Sequence, residues 1–233
     1  MIGALATPAV YQGISRIAAP AINMWLAHRR SRGKEDKARF AERLGHPGRA
    51  RPDGRLAWAH AASVGESLAV LPLAERLRAA GLNVLITSGT VTSARVLENR
   101  LPAGMLHQYV PIDRPAPVRR FLDHWRPDMA IWVESELWPN LVLAASARAI
   151  PMVMVNARMS ERSARRWRRM PRLISPLLGA FGVCLAQSEE DGNRLRALGA
   201  SRVSLAGNIK YDAAPLPVDE TALHDLQREI GER

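Results

Sequence analysis

Residues 56–80 of this chain read LAWAHAASVGESLAVLPLAERLRAA, and this stretch decides the fold. The apolar run at 56–59 predicts a buried strand, and the spacing of apolar residues over 66–80 predicts an amphipathic helix. Between them lies a loop of small residues, HAASVGES at 60–67, with one carboxylate, Glu66. Such a loop lets a substrate approach the backbone beside the unpaired N–H groups of a helix N-terminus. Glu66 is therefore a candidate catalytic base, although Gly-Glu-Ser is also an ordinary helix start.

The same strand-then-helix pattern repeats along the rest of the chain. Further strands are predicted at 83–87, 108–110, 129–133, 152–156, 183–186 and 203–206. Further helices are predicted at 92–100, 115–125, 137–149, 161–178 and 189–198. This alternation predicts the α/β class, with a parallel sheet covered by helices on both faces. In such sheets ligands bind outside the carboxyl ends of the strands.

Polar residues follow several of these strands. Glu134 and Glu136 leave a buried strand, where carboxylates are costly unless they are paired, hydrated or used in chemistry. The next strand is followed by an amide and a guanidinium, those of Asn156 and Arg158. Two other positions could contact a ligand or could be purely structural. A lone histidine at a strand boundary, His60, is usually structural, and the hydroxyl-rich turn at 88–90 has the composition of a helix cap.

Composition limits the class of partner. Lys and Arg exceed Asp and Glu by 33 to 22 over 233 residues, so the net charge is +11 and an anionic partner is expected. Nucleic acid is disfavoured relative to a phospholipid surface or a phosphorylated substrate, because the sequence has no zinc-ligand spacing and no aromatic-rich strand pair. The histidines are scattered, so neither a metal site nor a cofactor is predicted. Cys184 lies in an apolar run and is predicted to be part of the core, which fits a reducing compartment.

The N-terminal part differs from the rest. Residues 1–28 are mostly apolar, with Arg16 as their charged residue, and predict a membrane anchor or an interfacial helix. The alternative is a buried helix with a solvated basic end. Residues 29–55 are predicted to be a basic connector. The cluster HRRSRGK at 28–34 places the following domain on the cytoplasmic side, under the positive-inside tendency.

A second basic region lies within the predicted helix 161–178. Its arginines flank Trp167 and Met170, at positions 162, 165, 166, 168, 169 and 172. Arginine and tryptophan together suit anionic headgroups of a membrane or the phosphates of a lipid substrate. A solvated surface helix is the simpler alternative.

Five segments, read together, resemble a known family: HAASVGES at 60–67, ESELWPN at 134–140, NARMS at 156–160, QSEEDG at 187–192 and GNIKYD at 207–212. The order and the residues of these segments resemble those of the lipopolysaccharide Kdo transferases. The similarity extends through the apolar N-terminus and the stretch FAERLG at 40–45. Enzymes of that family move 3-deoxy-D-manno-oct-2-ulosonic acid (Kdo) from CMP-Kdo to a lipid A precursor. The resemblance implies the same reaction at the bacterial inner membrane, with the catalytic domain on the cytoplasmic face.

The resemblance also implies roles for individual residues. Glu66 would be the general base that takes the proton of the acceptor hydroxyl, and Glu134 and Lys210 would stabilise the transition state. Beside Lys210, Ile209 and Tyr211 replace the Leu and Phe of the family's segment conservatively. The candidates for binding the acceptor are His60, Ser63, Gly65, Ser88, Glu136, Asn156 and Arg158.

The domain organisation follows from the same resemblance. Such enzymes resemble two-domain GT-B glycosyltransferases, in which the first domain binds the acceptor and the second binds the nucleotide donor. Residues 56–212 would be the Rossmann-like acceptor domain, and 213–233 a linker and the start of a donor domain that is missing. We expect the anionic lipid A precursor and the membrane surface as partners, CMP-Kdo only with the donor domain, and no transfer by the isolated chain. The alternatives are a non-catalytic lipid-binding module, or another GT-B transferase acting on a lipid-linked precursor.

Overall fold

The computed structural model describes residues 6–212 and 220–231. Its sheet contains the strands β1 (Leu56–His60), β2 (Asn83–Ser88), β3 (Leu106–Tyr109), β4 (Met129–Val133), β5 (Met152–Ala157), β6 (Val183–Ala186) and β7 (Val203–Leu205). The strands are parallel and lie in the order β3-β2-β1-β4-β5-β6-β7. The α/β class predicted from the sequence is therefore confirmed.

The helices cover both faces of this sheet. They are α1 (Pro8–Ile17), α2 (Ala19–Ser31), α3 (Phe40–Arg43), α4 (Val64–Ala69), α5 (Leu71–Ala79), α6 (Val91–Arg100), α7 (Pro115–Trp125), α8 (Pro139–Ser146), α9 (Glu161–Trp167), α10 (Pro171–Gly179), α11 (Glu189–Ala197) and α12 (Glu220–Ile230). On one face, α7, α8 and α10 pack over Trp58 and Trp132. On the other face, α5 and α6 pack over Ile86 and Ile131. Because the strands are parallel, all their carboxyl ends meet at one edge.

Two predicted helices are each broken in the structure. The helix predicted at 66–80 is α4 followed by α5, with Pro72 in the first turn of α5. The helix predicted at 161–178 is α9 followed by α10, which begins at Pro171. Proline lacks the N–H that would continue the preceding helix but fits the first turn of a new one. Prolines therefore shorten both elements where apolar periodicity alone predicts continuity.

The apolar N-terminal segment is described from residue 6 onward and forms two helices rather than one. The break is at Ala18, and Pro20 lies in the first turn of α2. Ile14, Ile17 and Met24 expose 61%, 84% and 71% of their surface, respectively. Within 6–212 and 220–231, no helix combines the length and the apolar character needed to cross a bilayer.

Hydrogen bonds connect α1 to the start of α8. The Tyr11 hydroxyl donates to Asp113 Oδ2 at 3.0 Å, and the backbone N–H groups of Asn140 and Leu141 donate to the same carboxylate at 3.2 and 2.9 Å. Asn140 Nδ2 also donates to Ser15 Oγ at 3.1 Å. The N-terminal helix is thus tied to the segment that carries Glu134 and Glu136.

Residues 29–55, predicted to be a connector, pack against the outer edge of the sheet. The Glu42 carboxylate accepts a hydrogen bond from the Tyr109 N–H at 2.8 Å, and Arg39 donates to the His107 carbonyl at 2.9 Å. Glu35 and Arg43 are buried and form an ion pair of 3.2 Å. Glu42 and Arg39 thus pair with two backbone groups of the edge strand β3.

At the C-terminal end, the described residues form the helix α12 (Glu220–Ile230). The linker expected before it, at 213–219, lies outside the described residues.

Candidate active site

The residues expected to carry chemistry converge because three strands are neighbours. In the sheet β1 pairs with β4, and β4 pairs with β5. Their carboxyl ends therefore bring together the loop with Glu66, the residue after β4, Glu134, and the end of β5 at Asn156. These residues are as much as 90 positions apart in the chain, and only the strand order makes them a cluster.

Glu66 lies in the first turn of α4 and is 6% exposed. Ser63 caps this helix: its hydroxyl accepts a hydrogen bond from the Glu66 N–H and donates to Glu66 Oε1 at 2.6 Å. The Ala62 N–H donates to Glu66 Oε2 at 2.8 Å. Each carboxylate oxygen has two lone pairs, so each keeps one after these contacts. Glu66 is thus both a capping residue and a base with remaining acceptor capacity.

The surroundings of Glu66 make it more basic. Burial raises the pKa of Glu66, and the charges of Glu134 and Glu136 raise this pKa further, against the lowering effect of hydrogen bonds from Ser63 and Ala62. A carboxylate of raised pKa accepts a proton more readily. A general base works best when its pKa lies near the pH at which the enzyme operates.

The space beside Glu66 is open. A Cβ atom built on Gly65 would meet no atom within 4 Å. Gly65 therefore leaves room for another molecule next to the carboxylate.

Glu134 and Lys210 form an ion pair at this edge. Lys210 Nζ lies 2.8 Å from Glu134 Oε1, and the two side chains are 46% and 23% exposed. Lys210 belongs to a 3-10 helix, Ile209–Asp212, that follows β7. The pair places one cation and one anion at the cluster, both reachable from solvent.

Asn156 holds this pair in place. Its Nδ2 donates to Glu134 Oε1 at 3.4 Å, and its Oδ1 accepts from the Ile209 N–H at 3.3 Å. Gln187 Nε2 donates to the Asn156 carbonyl at 3.0 Å. Asn156 is 1% exposed, so it contacts the residues around the site and little of the solvent. Asn156 thus connects the ends of β4 and β6 to the segment that contains Lys210.

Two residues of the cluster have strained backbone. Glu134 has φ 59° and Asn156 has φ 54°, values in the left-handed region that favours glycine. The pairing of β5 with β6 also shifts register between Met154 and Ala157. Left-handed conformations in residues other than glycine cost about 1 kcal/mol or more each and concentrate at functional sites.

The remaining candidates divide into exposed and buried residues. Glu136 and Arg158 are exposed near the ends of β4 and β5. Ser88 is fully buried, and its hydroxyl lies 2.9 Å from His107 Nε2. The structure therefore does not bring Ser88 to the surface of the cluster.

His60 is fully buried at the end of β1. Its Nδ1 lies 3.1 Å from Thr87 Oγ1, and its ring packs between Trp132 and Trp138. Burial lowers the pKa of His60 to about 3, helped by the charge of Arg43. Such a low pKa favours the neutral imidazole, which is a poor general acid. The ring of Trp138 meets this histidine edge-on, with the ring centroids 5.8 Å apart.

Asp191 is a supporting residue that the sequence analysis did not single out. Its Oδ1 accepts a hydrogen bond from the Met159 N–H at 2.8 Å, which holds the loop after β5. Asp191 also lies three residues after Ser188, the N-cap of α11, whose hydroxyl accepts from the Asp191 N–H. The Ser-x-x-Asp spacing at a helix start was the available signal. Among the described residues, no group of three His, Cys, Asp or Glu side chains is suited to hold a metal ion.

Solved structures with similar folds share low sequence identity with this chain. UDP-GlcNAc 2-epimerase from Neisseria meningitidis, bound to UDP-GlcNAc, aligns with a TM-score of 0.50 and 16% identity over 74% of this chain and 50% of that one. The MnaA–UDP structure from S. aureus aligns with a TM-score of 0.53 and 15% identity over 72% of this chain and 48% of that one. At such identities the similarity concerns the fold alone, and it agrees with the Rossmann-like parallel sheet expected from the sequence.

Proteins related by sequence share a much higher identity with this chain than these solved structures do. A protein of Arabidopsis thaliana named probable 3-deoxy-D-manno-octulosonic acid transferase, mitochondrial, is 38% identical over 96% of this chain and 52% of its own length. The 3-deoxy-D-manno-octulosonic acid transferases of Rickettsia bellii and Bordetella pertussis are 38% and 36% identical, over 85% and 88% of this chain and 48% and 50% of their own lengths. This chain thus spans about half the length of the curated relatives it matches. The profile of the family described as 3-deoxy-D-manno-octulosonic-acid transferase (kdotransferase) matches residues 38–213, and the chain belongs to this family.

Proposed function

We propose that this chain forms the acceptor-binding half of a glycosyltransferase that moves Kdo from CMP-Kdo to a lipid A precursor, in lipopolysaccharide biosynthesis. The observation that carries the proposal is the arrangement of Glu66, Glu134 and Lys210. A buried carboxylate of raised pKa lies on the same sheet edge as an exposed ion pair, in a chain of the Kdo transferase family.

Glu66 would act on the acceptor. A sugar hydroxyl is too weakly acidic to attack unaided, so Glu66 takes its proton as the oxygen bonds to the anomeric carbon of Kdo. Positioned bases of this kind contribute about 10²- to 10⁴-fold to rate. The open space beside Gly65 is where the acceptor hydroxyl would approach.

Lys210 and Glu134 would act on the charge that develops during transfer. The bond from the anomeric carbon to the CMP phosphate breaks, CMP leaves with the electron pair, and the sugar gains oxocarbenium character. Lys210, 46% exposed, would balance the departing phosphate or the Kdo carboxylate, while Glu134 faces the developing positive charge. The resting ion pair would keep both groups charged and oriented until substrates arrive.

The substitution Glu66→Gln, in a protein that joins this chain to the second half of a curated relative, tests the assignment. We expect transfer of labelled Kdo from CMP-Kdo to a lipid A precursor to fall by about 10²-fold or more, with the circular dichroism spectrum unchanged. The matched control is Glu75→Gln, which removes an exposed carboxylate from α5 and should leave the rate unchanged. A Glu66→Gln enzyme with normal turnover would contradict the role of Glu66 as base.

The isolated chain provides a second test. The donor CMP-Kdo would bind mainly to the half of the protein that the relatives have in addition to the part aligned here. We therefore expect the 233-residue chain alone to show neither Kdo transfer nor tight CMP binding. Turnover above background would contradict the division of labour, whereas tight binding of a different lipid-linked acceptor would favour another transferase of the same architecture.

We also propose that the chain works on the cytoplasmic face of the bacterial inner membrane. Support comes from the exposed apolar side chains of α1 and α2, among them Ile14, Ile17 and Met24. Further support comes from the arginine-rich surface of α9 and α10, where Glu161 pairs with Arg165 and Arg168 and other arginines are exposed. Apolar side chains beside arginines suit the interface of an anionic membrane.

A further inference from the structure

A second concave surface lies outside the candidate active site. It is a groove of about 820 Å³ between α1, α7 and α8, here named the α1–α7–α8 groove. Its lining includes Asn140, which follows the segment with Glu134 and Glu136, but none of the proposed catalytic residues. The first turns of α7 and α8 lie at the carboxyl edge of the sheet, because each helix follows a strand.

The groove is strongly basic. Four arginines line it: Arg16, Arg114, Arg119 and Arg148. Of the lining residues, all of which the structure describes, none is Asp or Glu. The first turn of α7 likewise contains no acidic residue, although Asp113 directly precedes its N-cap, Arg114. A groove of this charge favours an anion.

The arginines keep donors for a ligand. Arg114 donates from Nη1 to Asn23 Oδ1 at 2.7 Å, but its buried Nε has no hydrogen-bond partner among the described residues. Arg148 pairs with Asp123 at 2.6 Å and is 33% exposed, and Arg119 is exposed on α7. A guanidinium has five N–H donors in a planar fork that suits phosphate oxygens. The ligand indicated by this chemistry is a phosphate.

The floor of the groove is apolar. It consists of Val118 from α7 and of Leu143, Ala144 and Ala147 from α8 and its end. A free inorganic anion would gain nothing from this surface. An amphiphile with a phosphate on one side and hydrocarbon on the other would use both parts of the lining.

The orientation of α1 indicates where this amphiphile comes from. Residues 8, 9, 12 and 16 of α1 line the groove. Val10, Ile14 and Ile17 of the same helix are 45%, 61% and 84% exposed. If the exposed apolar face of α1 lies in a bilayer, the groove lies beside it at the depth of the headgroups.

We infer that the α1–α7–α8 groove is a binding site for the phosphate headgroup of an anionic phospholipid. The inference rests on the proposed association with a membrane and adds a specific lipid site to it. A bound lipid would contact α1 and α8 together and so connect the membrane to the helix that follows the segment with Glu134.

Titration with monomeric dihexanoyl phosphatidylglycerol, followed by calorimetry on the whole chain, tests this inference. We expect saturable binding of one equivalent, and weaker binding of dihexanoyl phosphatidylcholine. The double substitution Arg119→Gln/Arg148→Gln should weaken binding by about tenfold or more, because two charge-assisted contacts are lost. The matched control, Arg95→Gln/Arg100→Gln, removes two exposed charges from α6 on the other face of the sheet and should change affinity by less than about twofold.

Three results would overturn the inference. The first is binding that does not saturate or that both double variants weaken equally. The second is binding of inorganic phosphate as tight as that of the lipid. The third is a loss of affinity for the lipid A precursor, but not for phosphatidylglycerol, in the groove variant, which would assign the groove to the acceptor. All titrations are done without donor, so failure of the proposed Kdo transfer would not affect their outcome.

Discussion

At the scale of single residues, Glu66 has two roles that compete. As a capping residue it accepts hydrogen bonds from Ser63 and Ala62, which favour its charged form. As a buried carboxylate near Glu134 and Glu136 it has a raised pKa, which favours its neutral form. A raised pKa contributes stability below the ordinary pKa and loses it as the pH rises through the raised value. Near neutral pH the ionised base is therefore maintained at some cost in stability.

The pH dependence of transfer follows from this balance. In the proposed mechanism Glu66 must be ionised to act as the base, so kcat/KM should fall as the pH drops through an apparent pKa above the ordinary 4.5. The substitution Glu136→Gln removes one of the negative charges that raise this pKa, so the acid limb should move to lower pH. A pH–rate profile of both proteins measures the shift. A limb that moves to higher pH would contradict the electrostatic explanation.

Asn156 offers a test of strain and support at the same residue. Asn156→Ala removes the hydrogen bonds to Glu134 and Ile209 and should lower the free energy of unfolding by about 1–3 kcal/mol. Asn156→Gly removes the same contacts but relieves the φ of 54°, so it should be less destabilising than alanine by about 1 kcal/mol. Urea unfolding measures both values. Equal losses, or a larger loss for glycine, would show that the backbone is not strained there.

At the scale of secondary-structure elements, tertiary packing determines the structure of segments whose sequence shows no regular element. Residues 29–55 look like a polar connector, yet their side chains complete the edge strand β3. The contacts from Arg39 and Glu42 to the backbone of β3 join residues about 67 positions apart, so no local pattern reveals them. The same holds for Ser88, a candidate for binding the acceptor, whose hydroxyl lies within hydrogen-bond distance of His107.

Gly45 tests how tightly this segment is packed. It has φ 82°, and an added Cβ would lie 2.1 Å from the Pro117 carbonyl oxygen on α7. Gly45→Ala should therefore lower the free energy of unfolding by about 3 kcal/mol or more, through steric overlap and backbone strain. Gly13→Ala is the control, because a Cβ there meets nothing within 4 Å and alanine favours the helix α1 by about 1 kcal/mol. Thermal unfolding should separate the two variants in opposite directions.

At the scale of the whole molecule, the net charge of +11 bears on the proposed association with an anionic membrane. If anionic lipid attracts it, raising the salt from about 0.1 M to 1 M shortens the Debye length from about 10 to 3 Å and should weaken vesicle binding by about tenfold or more. Co-sedimentation with phosphatidylcholine vesicles, with and without phosphatidylglycerol, measures this effect. The exposed apolar side chains of α1 and α2 should retain some binding at high salt. Binding that is equal on neutral vesicles, or that ignores salt, would contradict an electrostatic contribution.

The sequence by itself determined the α/β class, the positions of most strands and helices, and the family. It could do so because apolar periodicity, prolines and short motifs are local properties. The tertiary structure decided the strand order, which makes β1, β4 and β5 neighbours and joins Glu66, Glu134 and Lys210 into one cluster. It also decided that His60 and Ser88 are buried, and that Asn156 supports the ion pair. Burial and hydrogen-bond partners depend on residues far apart in the chain, so only the folded arrangement determines them.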